Sequence, residues 1–266
     1  MSEPKNNQLQ PVVFVSHGSP MAALERGLYA QALNRFGKSV APSAILVISA
    51  HWQERDIRIA SAPRPELIYD FGGFPRELYE MKYPAPGSPD LSAEAAAVLK
   101  RAGFGAQLDD HRGWDHGVWV PLHLMFPEAK VPVVEISLST QSTPQELYRV
   151  GEALREFRKK GALIVGSGGI VHNLRLMNFA QQDAVPESWA SEFQDWVQDK
   201  IERHDLTSLF NYQAIAPHVA RAVPTEEHFV PIFPVLGAAG VGYKVNSIFE
   251  GIEYGNMSMY TFALTS

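Results

Sequence analysis

Three histidines follow apolar, β-branched runs that have the pattern of buried strands. The runs and the histidines that follow them are VVFVS and His17, AILVISA and His51, and ALIVG and, a few residues further on, His172. In an open α/β sheet, ligands bind outside the carboxyl ends of the strands. Imidazole nitrogen binds both zinc and iron, so three histidines that converge at this edge would form a metal site without any thiolate.

Two further histidines are candidates for the same site. His116 lies in a turn with glycine and tryptophan that comes before an apolar helix, where Asp115 could orient the imidazole or cap the helix. His228 follows the acidic pair Glu226 and Glu227 at the start of an apolar segment, a position that fits a surface loop as well as a site. We predict no role in the site for His111, His123, His204 and His218.

The composition limits the kinds of site that the chain can form. The 266-residue sequence contains nine histidines and no cysteine, which excludes disulfides, iron–sulfur clusters and cysteine-type zinc sites. Lys and Arg number 23 and Asp and Glu number 29, so the net charge is −6. Because a mildly acidic chain lacks the positive surface that binds nucleic acid or anionic membranes, we expect neither as a partner.

The sequence also indicates where the protein works. Hydrophobic residues make up 45% and charged residues 20% of the chain, which is typical of a globular protein. The first ten residues are polar and do not match a secretory signal, and no run of about 18 apolar residues is present. We therefore expect a soluble, cytoplasmic protein.

The apolar pattern alternates between short strands and longer helices along the chain. Helical spacing predicts helices over residues 21–36, 91–101, 144–160 and 187–204. The third of these has Thr143 at the N-cap position and Pro144 in its first turn. Strands that are apolar on both faces and are separated by helices predict an α/β fold, a three-layer α/β/α sandwich with a central, largely parallel or mixed sheet. No repeat or linker divides the sequence, so we expect a single domain.

A proline-rich segment, residues 62–89, contains several aromatic residues between Tyr69 and Tyr83. Flexible linkers contain few large aromatic side chains. The composition therefore predicts an ordered loop that covers a site.

A second unusual segment is Gly166-Ser167-Gly168-Gly169, which follows a predicted strand. It matches neither a P-loop nor the complete dinucleotide-binding fingerprint. We expect these glycines to allow a close approach of backbone near the site. The sequence has no Gly-x-Ser-x-Gly motif, so a hydrolase with a serine nucleophile elbow has no support.

The candidate residues belong to short motifs that follow one another in a distinctive order. The motifs are Ser16-His17-Gly18-Ser19-Pro20, Ser49-Ala50-His51-Trp52, Asp70-Phe71-Gly72-Gly73-Phe74-Pro75, Trp114-Asp115-His116-Gly117, Gly166-Ser167-Gly168-Gly169, His172-Asn173-Leu174 and His228-Phe229. In this order they resemble the 4,5-DOPA extradiol dioxygenase family, which is related to the β subunit of protocatechuate 4,5-dioxygenase. The resemblance extends over about residues 11–264 and implies one catalytic domain, an α/β sandwich around a central sheet.

The resemblance also implies roles for the histidines. It implies that His17, His51 and His228 bind one divalent metal ion, and that His172 is either a fourth ligand or an acid/base. His116 would face the substrate or support a ligand. The resemblance implies a metal site of two histidines and one carboxylate in the protocatechuate branch. In this sequence, the residue at the position of the third ligand is His228.

The histidine in place of a carboxylate affects which metal the resemblance implies. An all-histidine site suits zinc at least as well as iron, and the DOPA branch has zinc-containing members. We therefore expect Zn²⁺ in the protein as isolated. Fe²⁺ is expected for the oxygen chemistry, because Zn²⁺ has no accessible redox change.

The function implied by the resemblance is the opening of a catechol ring with O₂, by 4,5-cleavage of a DOPA-like substrate. A neutral imidazole, His172 in the first place and His116 in the second, would transfer protons. Two alternatives remain open. One is a zinc-dependent hydrolase, and the other is a non-catalytic binding protein similar to the Memo-like proteins. A pure scaffold would need neither His116 nor His172 in the cavity.

Overall fold

In the computed structural model, which describes residues 9–265, an eight-stranded sheet forms the centre of the molecule. The strands along the chain are β1 (Val12–Ser16), β2 (Ala44–Glu54), β3 (Ile57–Ala60), β4 (Ala106–Asp109), β5 (Val133–Ser139), β6 (Ala162–Gly168), β7 (Lys244–Phe249), β8 (Ile252–Glu253), β9 (Met257–Ser258) and β10 (Thr261–Thr265). The order across the large sheet is β4-β3-β5-β2-β6-β1-β10-β7, and β8 pairs with β9 separately. Strands β5, β2, β6 and β1 run parallel, whereas β3 and β10 join this group antiparallel.

Helices connect the strands and cover the sheet. They are α1 (Leu28–Ser39), α2 (Arg76–Glu80), α3 (Pro89–Arg101), α4 (His116–Met125), α5 (Pro144–Leu154), α6 (Glu156–Lys159), α7 (Ser188–Glu202), α8 (Leu206–Phe210), α9 (Tyr212–Ile215), α10 (Val219–Ala222) and α11 (Ile232–Ala239). Two short 3₁₀ helices span Pro20–Ala23 and Leu174–Leu176. Within residues 9–265, no helix is both long enough and apolar enough to cross a membrane.

Both faces of the sheet are buried, because successive residues of a strand point to opposite sides. In β1, Val12 and Phe14 pack into one apolar cluster, together with side chains of α3, α5, α7 and α11. Val13 and Val15 pack into the other cluster, with side chains of α1 and α4. The predicted α/β/α sandwich with a mixed central sheet is therefore confirmed.

Two of the predicted helices differ from the observed ones, because each is interrupted. The single helix predicted over residues 21–36 is wrong, since a 3₁₀ helix and α1 lie on either side of Gly27, which is extended at φ −66° and ψ −174°. Thr143 caps α5 as predicted, in a capping box with Glu146. The helix predicted to continue to residue 160 divides into α5 and α6.

The parallel strands bring the predicted histidines to one edge of the sheet. β1, β2 and β6 are neighbours and end at the same side of the sheet. His17 directly follows β1, and His172 comes four residues after the end of β6. His51 differs from the prediction, because β2 does not end before it but continues to Glu54.

Candidate metal centre

The imidazoles of His17, His51 and His228 converge at this edge of the sheet. Nε2 of His17 lies 3.1 Å from Nε2 of His51. The ring of His228 is centred 5.2 Å from that of His17 and 5.0 Å from that of His51. One nitrogen from each ring lies within 4.8 Å of the others, so the three side chains could hold one metal ion.

The opposite nitrogen of each ring contacts an oxygen atom. Nδ1 of His17 lies 3.0 Å from Oγ of Ser167, whose hydroxyl donates to the carbonyl of Gly117 and therefore accepts from the imidazole. Nδ1 of His51 lies 3.3 Å from Asp70. A proton on Nδ1 of each ring would suit these contacts, and that tautomer leaves the Nε2 lone pair free.

The third ring, His228, gives the clearest indication of a bound cation. Its Nδ1 donates to Oε1 of Glu227 at 3.0 Å. Its Nε2 is buried and has no hydrogen-bond partner within residues 9–265. An unsatisfied buried nitrogen is costly, and a metal ion in front of it would remove the cost. These donors fit Zn²⁺ or Fe²⁺, since both accept neutral imidazole ligands.

The histidines are neutral in the folded protein. Burial, reinforced by the neighbouring imidazoles, holds the pKa of His17 well below its usual value and lowers that of His51 to about 3. Burial also lowers the pKa of His228, although Glu227 opposes this shift. Neutral imidazoles are the form that binds metal, so the cluster is ready for a cation at neutral pH.

Two carboxylates supply the negative charge around the cluster. Burial disfavours the charged form of Asp70, but hydrogen bonds from His116 outweigh it and lower the pKa of Asp70 to about 2. In the same way, burial of Glu227 is outweighed by hydrogen bonds from His228 and Thr225, and its pKa falls to about 2. Both side chains are therefore ionised and complement a cation.

His116 lies beside His51, with the two ring centres 4.0 Å apart. It begins α4, and Oδ1 of Asp70 accepts hydrogen bonds from both its backbone N–H, at 3.1 Å, and its Nδ1, at 2.8 Å. Asp70 therefore bridges His51 and His116. Asp115, which the sequence offered as the orienter or the helix cap, occupies the N-cap position of α4, but its side chain makes no capping bond and accepts from Ser49 instead.

His172 lies on the other side of His228. The two rings are stacked with their centres 3.5 Å apart and their planes inclined by 9°. The ring nitrogens of His172 have no hydrogen-bond partner within the described part of the chain, in contrast to the other four imidazoles. Burial lowers the pKa of His172 to about 3, so this ring is neutral as well.

The glycines at the end of β6 allow His228 to reach the sheet. A Cβ atom on Gly168 would lie 2.0 Å from the carbonyl oxygen of His228, and one on Gly166 would lie 2.4 Å from that of Pro231. The N–H of Gly169 donates to the His228 carbonyl at 2.8 Å. The close backbone approach that the sequence predicted for this segment is confirmed.

The strand that carries His51 is irregular at that position. Ile48 of β2 pairs with Ile136 of β5, but the next pair is Gln53 with Leu138, so β2 has four residues where β5 has one. The Oγ of Ser49 accepts the backbone N–H of His51 at 3.2 Å within this irregular stretch. The strand therefore depends on side chains to fix the position of His51.

Those side chains form a buried charged network under the strand. Arg112 donates from Nη2 to Oδ2 of Asp115 at 2.5 Å and to Oε1 of Glu135 at 3.2 Å, and this nitrogen lies 3.5 Å from the carbonyl oxygen of His51. Asp115 also accepts from the hydroxyl of Ser49 at 2.8 Å. Burial and the charge of Asp115 raise the pKa of Glu135 well above its usual value, against the effect of Arg112.

A cavity of about 610 Å³ opens in front of the histidines. Phe71 and Phe74 from the proline-rich segment line it, and the ring of Phe71 is centred 5.7 Å from that of His116. The expectation of an ordered aromatic loop beside the site holds for these two residues. Tyr83, in contrast, is buried away from the cavity, and its hydroxyl donates to the carbonyl of Phe126.

Comparison with known proteins points to one family. The sequence model of the catalytic LigB subunit of aromatic ring-opening dioxygenases matches residues 11–264. The 4,5-DOPA dioxygenase extradiol of Escherichia coli (strain K12) is 36% identical over 94% of this chain and 92% of its own. The enzyme of that name from Beta vulgaris is 35% identical over 98% of each chain. The dioxygenase tasH of Hapsidospora irregularis is 35% identical over 96% of this chain and 85% of its own.

A solved structure agrees with the sequence comparisons. The uncharacterized protein JW3007 from Escherichia coli K12 superimposes with a TM-score of 0.83 at 32% identity. The match covers 96% of this chain and 100% of that chain.

Proposed function

The chain belongs to the family of the catalytic LigB subunit of aromatic ring-opening dioxygenases, and on this basis we propose that it opens a DOPA-like catechol between ring carbons 4 and 5 with O₂. That it is a ring-cleaving dioxygenase follows from the family. The substrate, the metal and the residue roles are our proposal. We assign them to a single catalytic domain over residues 11–264.

The observation that carries the proposal is the convergence of three imidazoles, one nitrogen of each lying within 4.8 Å of the others. His17, His51 and His228 are the proposed metal ligands, because Nδ1 of each lies beside an oxygen atom and Nε2 remains to bind the ion. Such outer contacts set the tautomer and the ring orientation of metal-binding histidines. We propose Zn²⁺ in the protein as isolated and Fe²⁺ for turnover.

For His172 we propose a proton-transfer role and not a place as fourth ligand. The lone pair of an imidazole nitrogen lies in the plane of its ring. Because the rings of His172 and His228 are stacked, their lone pairs lie in nearly parallel planes and do not point at one ion. A neutral ring without a fixed hydrogen bond is free to accept a proton from a catechol hydroxyl and to return it later.

The remaining side chains of the cavity would position the ring and exclude water. Phe71 and Phe74 offer faces and edges against which an aromatic substrate can pack. His116, whose Nδ1 is bound to Asp70, presents its other nitrogen as a donor or acceptor for the substrate and is our second candidate for proton transfer. A bound Fe²⁺ would supply Lewis acidity toward the two phenolic oxygens and the redox change that O₂ requires.

The two alternatives from the sequence are less well supported. A non-catalytic scaffold similar to the Memo-like proteins has no need for His116 and His172, yet both line the cavity. A zinc-dependent hydrolase would use the same three ligands, and it differs from a dioxygenase in the metal on which turnover depends.

The test is anaerobic reconstitution of the metal-free protein with Fe²⁺ or Zn²⁺, followed by an aerobic assay against DOPA and other catechols. We expect O₂ uptake and ring-opened product with Fe²⁺ and little or none with Zn²⁺, since Zn²⁺ cannot change its oxidation state. Equal turnover with both metals in iron-free buffer would favour hydrolysis. No ring opening of any catechol by the Fe²⁺ form would refute the proposed function.

A further inference from the structure

The loop of residues 17–28 leaves the sheet at the end of β1 and leads through a 3₁₀ helix to α1. Its first four residues line the cavity, and the first of them is the proposed ligand His17. Tyr29 follows the loop in the first turn of α1, and its hydroxyl donates to the backbone carbonyl of Ser16. A side chain of α1 therefore reaches back to the residue directly before the ligand and closes the loop at its base.

This hydrogen bond holds the peptide unit from which His17 starts. The carbonyl of Ser16 and the N–H of His17 belong to one planar group, which moves as a unit with the Cα atom of His17. Tyr29 binds the carbonyl side of this plane, and the carbonyl oxygen of Gly168 accepts the N–H of His17 at 3.1 Å. Because both sides of the plane are bonded, it cannot rotate or shift without breaking one of the two bonds.

On the side of β10, regular strand pairing does not extend to this peptide unit. The paired residues of β1 and β10 end with Phe14 and Phe262, although β6 still pairs with Ser16 on the other side. Beyond that point a side chain of β10 takes over, and the N–H of Ser16 donates to Oγ1 of Thr261 at 3.2 Å. The bond from Tyr29 belongs to this group of side-chain contacts, which hold the end of β1 where the ladder with β10 has stopped.

The tyrosine hydroxyl lies in the interior of the protein. Tyr29 is 5% exposed, and its ring meets that of Phe249 edge to face, with the centres 5.3 Å apart. Burial raises the pKa of Tyr29 well above its ordinary value, so the phenol stays protonated and donates at neutral pH. A buried carbonyl that loses its donor is costly, so removal of this hydroxyl favours a displacement of Ser16 and, with it, of His17.

We propose that Tyr29 is a positioning residue of the metal site, which fixes the peptide plane that carries His17. The inference rests on the proposed function for the role of His17 as a metal ligand. Tyr29 itself touches neither the metal nor the substrate and acts through His17.

The test is the variant Tyr29→Phe, with Tyr83→Phe as its matched control. Both tyrosines are buried in the same apolar cluster and donate to a backbone carbonyl, but Tyr83 bonds to Phe126, which lies outside the cavity. Competition with a chelator measures the Zn²⁺ affinity of each metal-free protein, and the visible absorption spectrum of the Co²⁺ form reports the geometry of the ligands. Urea midpoints check that both variants are folded.

We expect Tyr29→Phe to weaken Zn²⁺ binding by about 10-fold and to change the Co²⁺ spectrum, because the His17 imidazole is displaced. Tyr83→Phe loses a hydrogen bond of the same kind and should keep the wild-type values of both. A general loss of stability would affect the two variants alike, whereas a displaced ligand changes the metal site of Tyr29→Phe alone.

Turnover of catechols by the Fe²⁺ forms separates this inference from the proposed function. If no catechol is opened but both metal measurements change in Tyr29→Phe alone, the proposed function fails and the positioning role stands. If catechols are opened and either the Zn²⁺ affinity or the Co²⁺ spectrum of Tyr29→Phe equals that of Tyr83→Phe, the positioning role is refuted.

Discussion

At the scale of single residues, the five clustered histidines differ in what contacts the Nδ1 atom of the ring. Nδ1 lies at hydrogen-bonding distance from an oxygen atom in His17, His116 and His228, and Nδ1 of His51 lies 3.3 Å from Asp70. A fixed tautomer suits a ligand, because it directs a lone pair, whereas a proton carrier must be able to gain and lose its proton. His172 is the ring without such a contact in the described part of the chain, which is why we assign it the second role.

Replacement of His172 should separate proton transfer from metal binding. In His172→Ala we expect the metal content to remain that of the wild type, while the single-turnover rate of ring opening falls by about 10²–10⁴. His17→Ala is the comparison variant and should lose the metal, since it removes one of three ligands. Metal content by atomic emission and single-turnover kinetics with Fe²⁺ decide the question. A parallel loss of metal and rate in His172→Ala would make it a ligand, and an unimpaired rate would exclude both roles.

The sequence predicted the clustered residues better than it predicted their contacts. His17, His51 and His172 were found because each follows a strand pattern, and the strands are parallel neighbours. The bridge that Asp70 makes between His51 and His116 was missed. It depends on the path of a loop without hydrophobic periodicity, and such a path cannot be worked out from spacing.

At the scale of elements, the position of His51 depends on the contact between β2, β5 and the start of α4. The irregular stretch of β2 lacks regular ladder bonds to β5. In this stretch Asp115 accepts from Ser49, and Arg112 lies 3.5 Å from the carbonyl oxygen of His51. Asp115 and Glu135 are 1% and 0% exposed, so these carboxyl groups depend on Arg112 and on polar neighbours rather than on water. Removal of one member of such a network costs more than the network contributes as a whole.

Replacement of Arg112 should therefore affect both stability and metal binding. We expect Arg112→Ala to lower the free energy of unfolding of the metal-free protein by about 3–5 kcal/mol, because two buried carboxyl groups lose their partner. Zn²⁺ affinity, measured by competition with a chelator, should fall by about 10- to 100-fold, since the support of His51 is lost.

Two controls make this outcome specific. Arg58→Ala removes a half-exposed arginine from β3 that pairs with Glu54 and Asp109, and it should cost about 1 kcal/mol or less. Glu135→Gln keeps the oxygen that accepts from Arg112 and should retain most of the stability and Zn²⁺ affinity. A change in Arg112→Ala no larger than that in Arg58→Ala, by urea unfolding, would contradict a supporting role for the network.

The element boundaries that the sequence misplaced have local causes. The strand β2 was predicted to stop before His51, since apolar periodicity ends there, whereas hydrogen bonds continue it to Glu54. The sequence left open whether His228 lies in a surface loop or in the site. Nothing in its own segment shows that its carbonyl group packs against Gly168 and accepts a hydrogen bond from the N–H of Gly169. Fold class followed from periodicity, but contacts between distant segments needed the three-dimensional structure.

At the scale of the whole molecule, the site concentrates groups whose protonation differs between the folded and unfolded chain. In the folded protein, burial keeps His17, His51, His172 and His228 neutral below the usual histidine pKa of about 6.5. In the unfolded chain the same residues regain that pKa and bind protons as the pH falls. Folding stability is therefore linked to pH through the site.

The sign of this linkage gives a prediction for the metal-free protein. A base with a depressed folded pKa contributes its full stability above the unfolded pKa and loses it as the pH falls toward the folded pKa. The free energy of unfolding should therefore decrease from about pH 6.5 downward, by up to about 1.4 kcal/mol per pH unit for each histidine that stays neutral. Urea unfolding with a chelator at pH 7.5, 6.0 and 5.0 measures the slope of the free energy of unfolding against pH.

Two variants test whether the cluster causes this slope. His172→Gln should reduce the slope by an amount equivalent to nearly one proton, whereas replacement of His111, which is 94% exposed, should leave the slope unchanged. A flat profile between pH 7 and pH 5 would mean that the buried cluster takes up protons without unfolding, and the neutral state that we infer for the ligands would then be wrong.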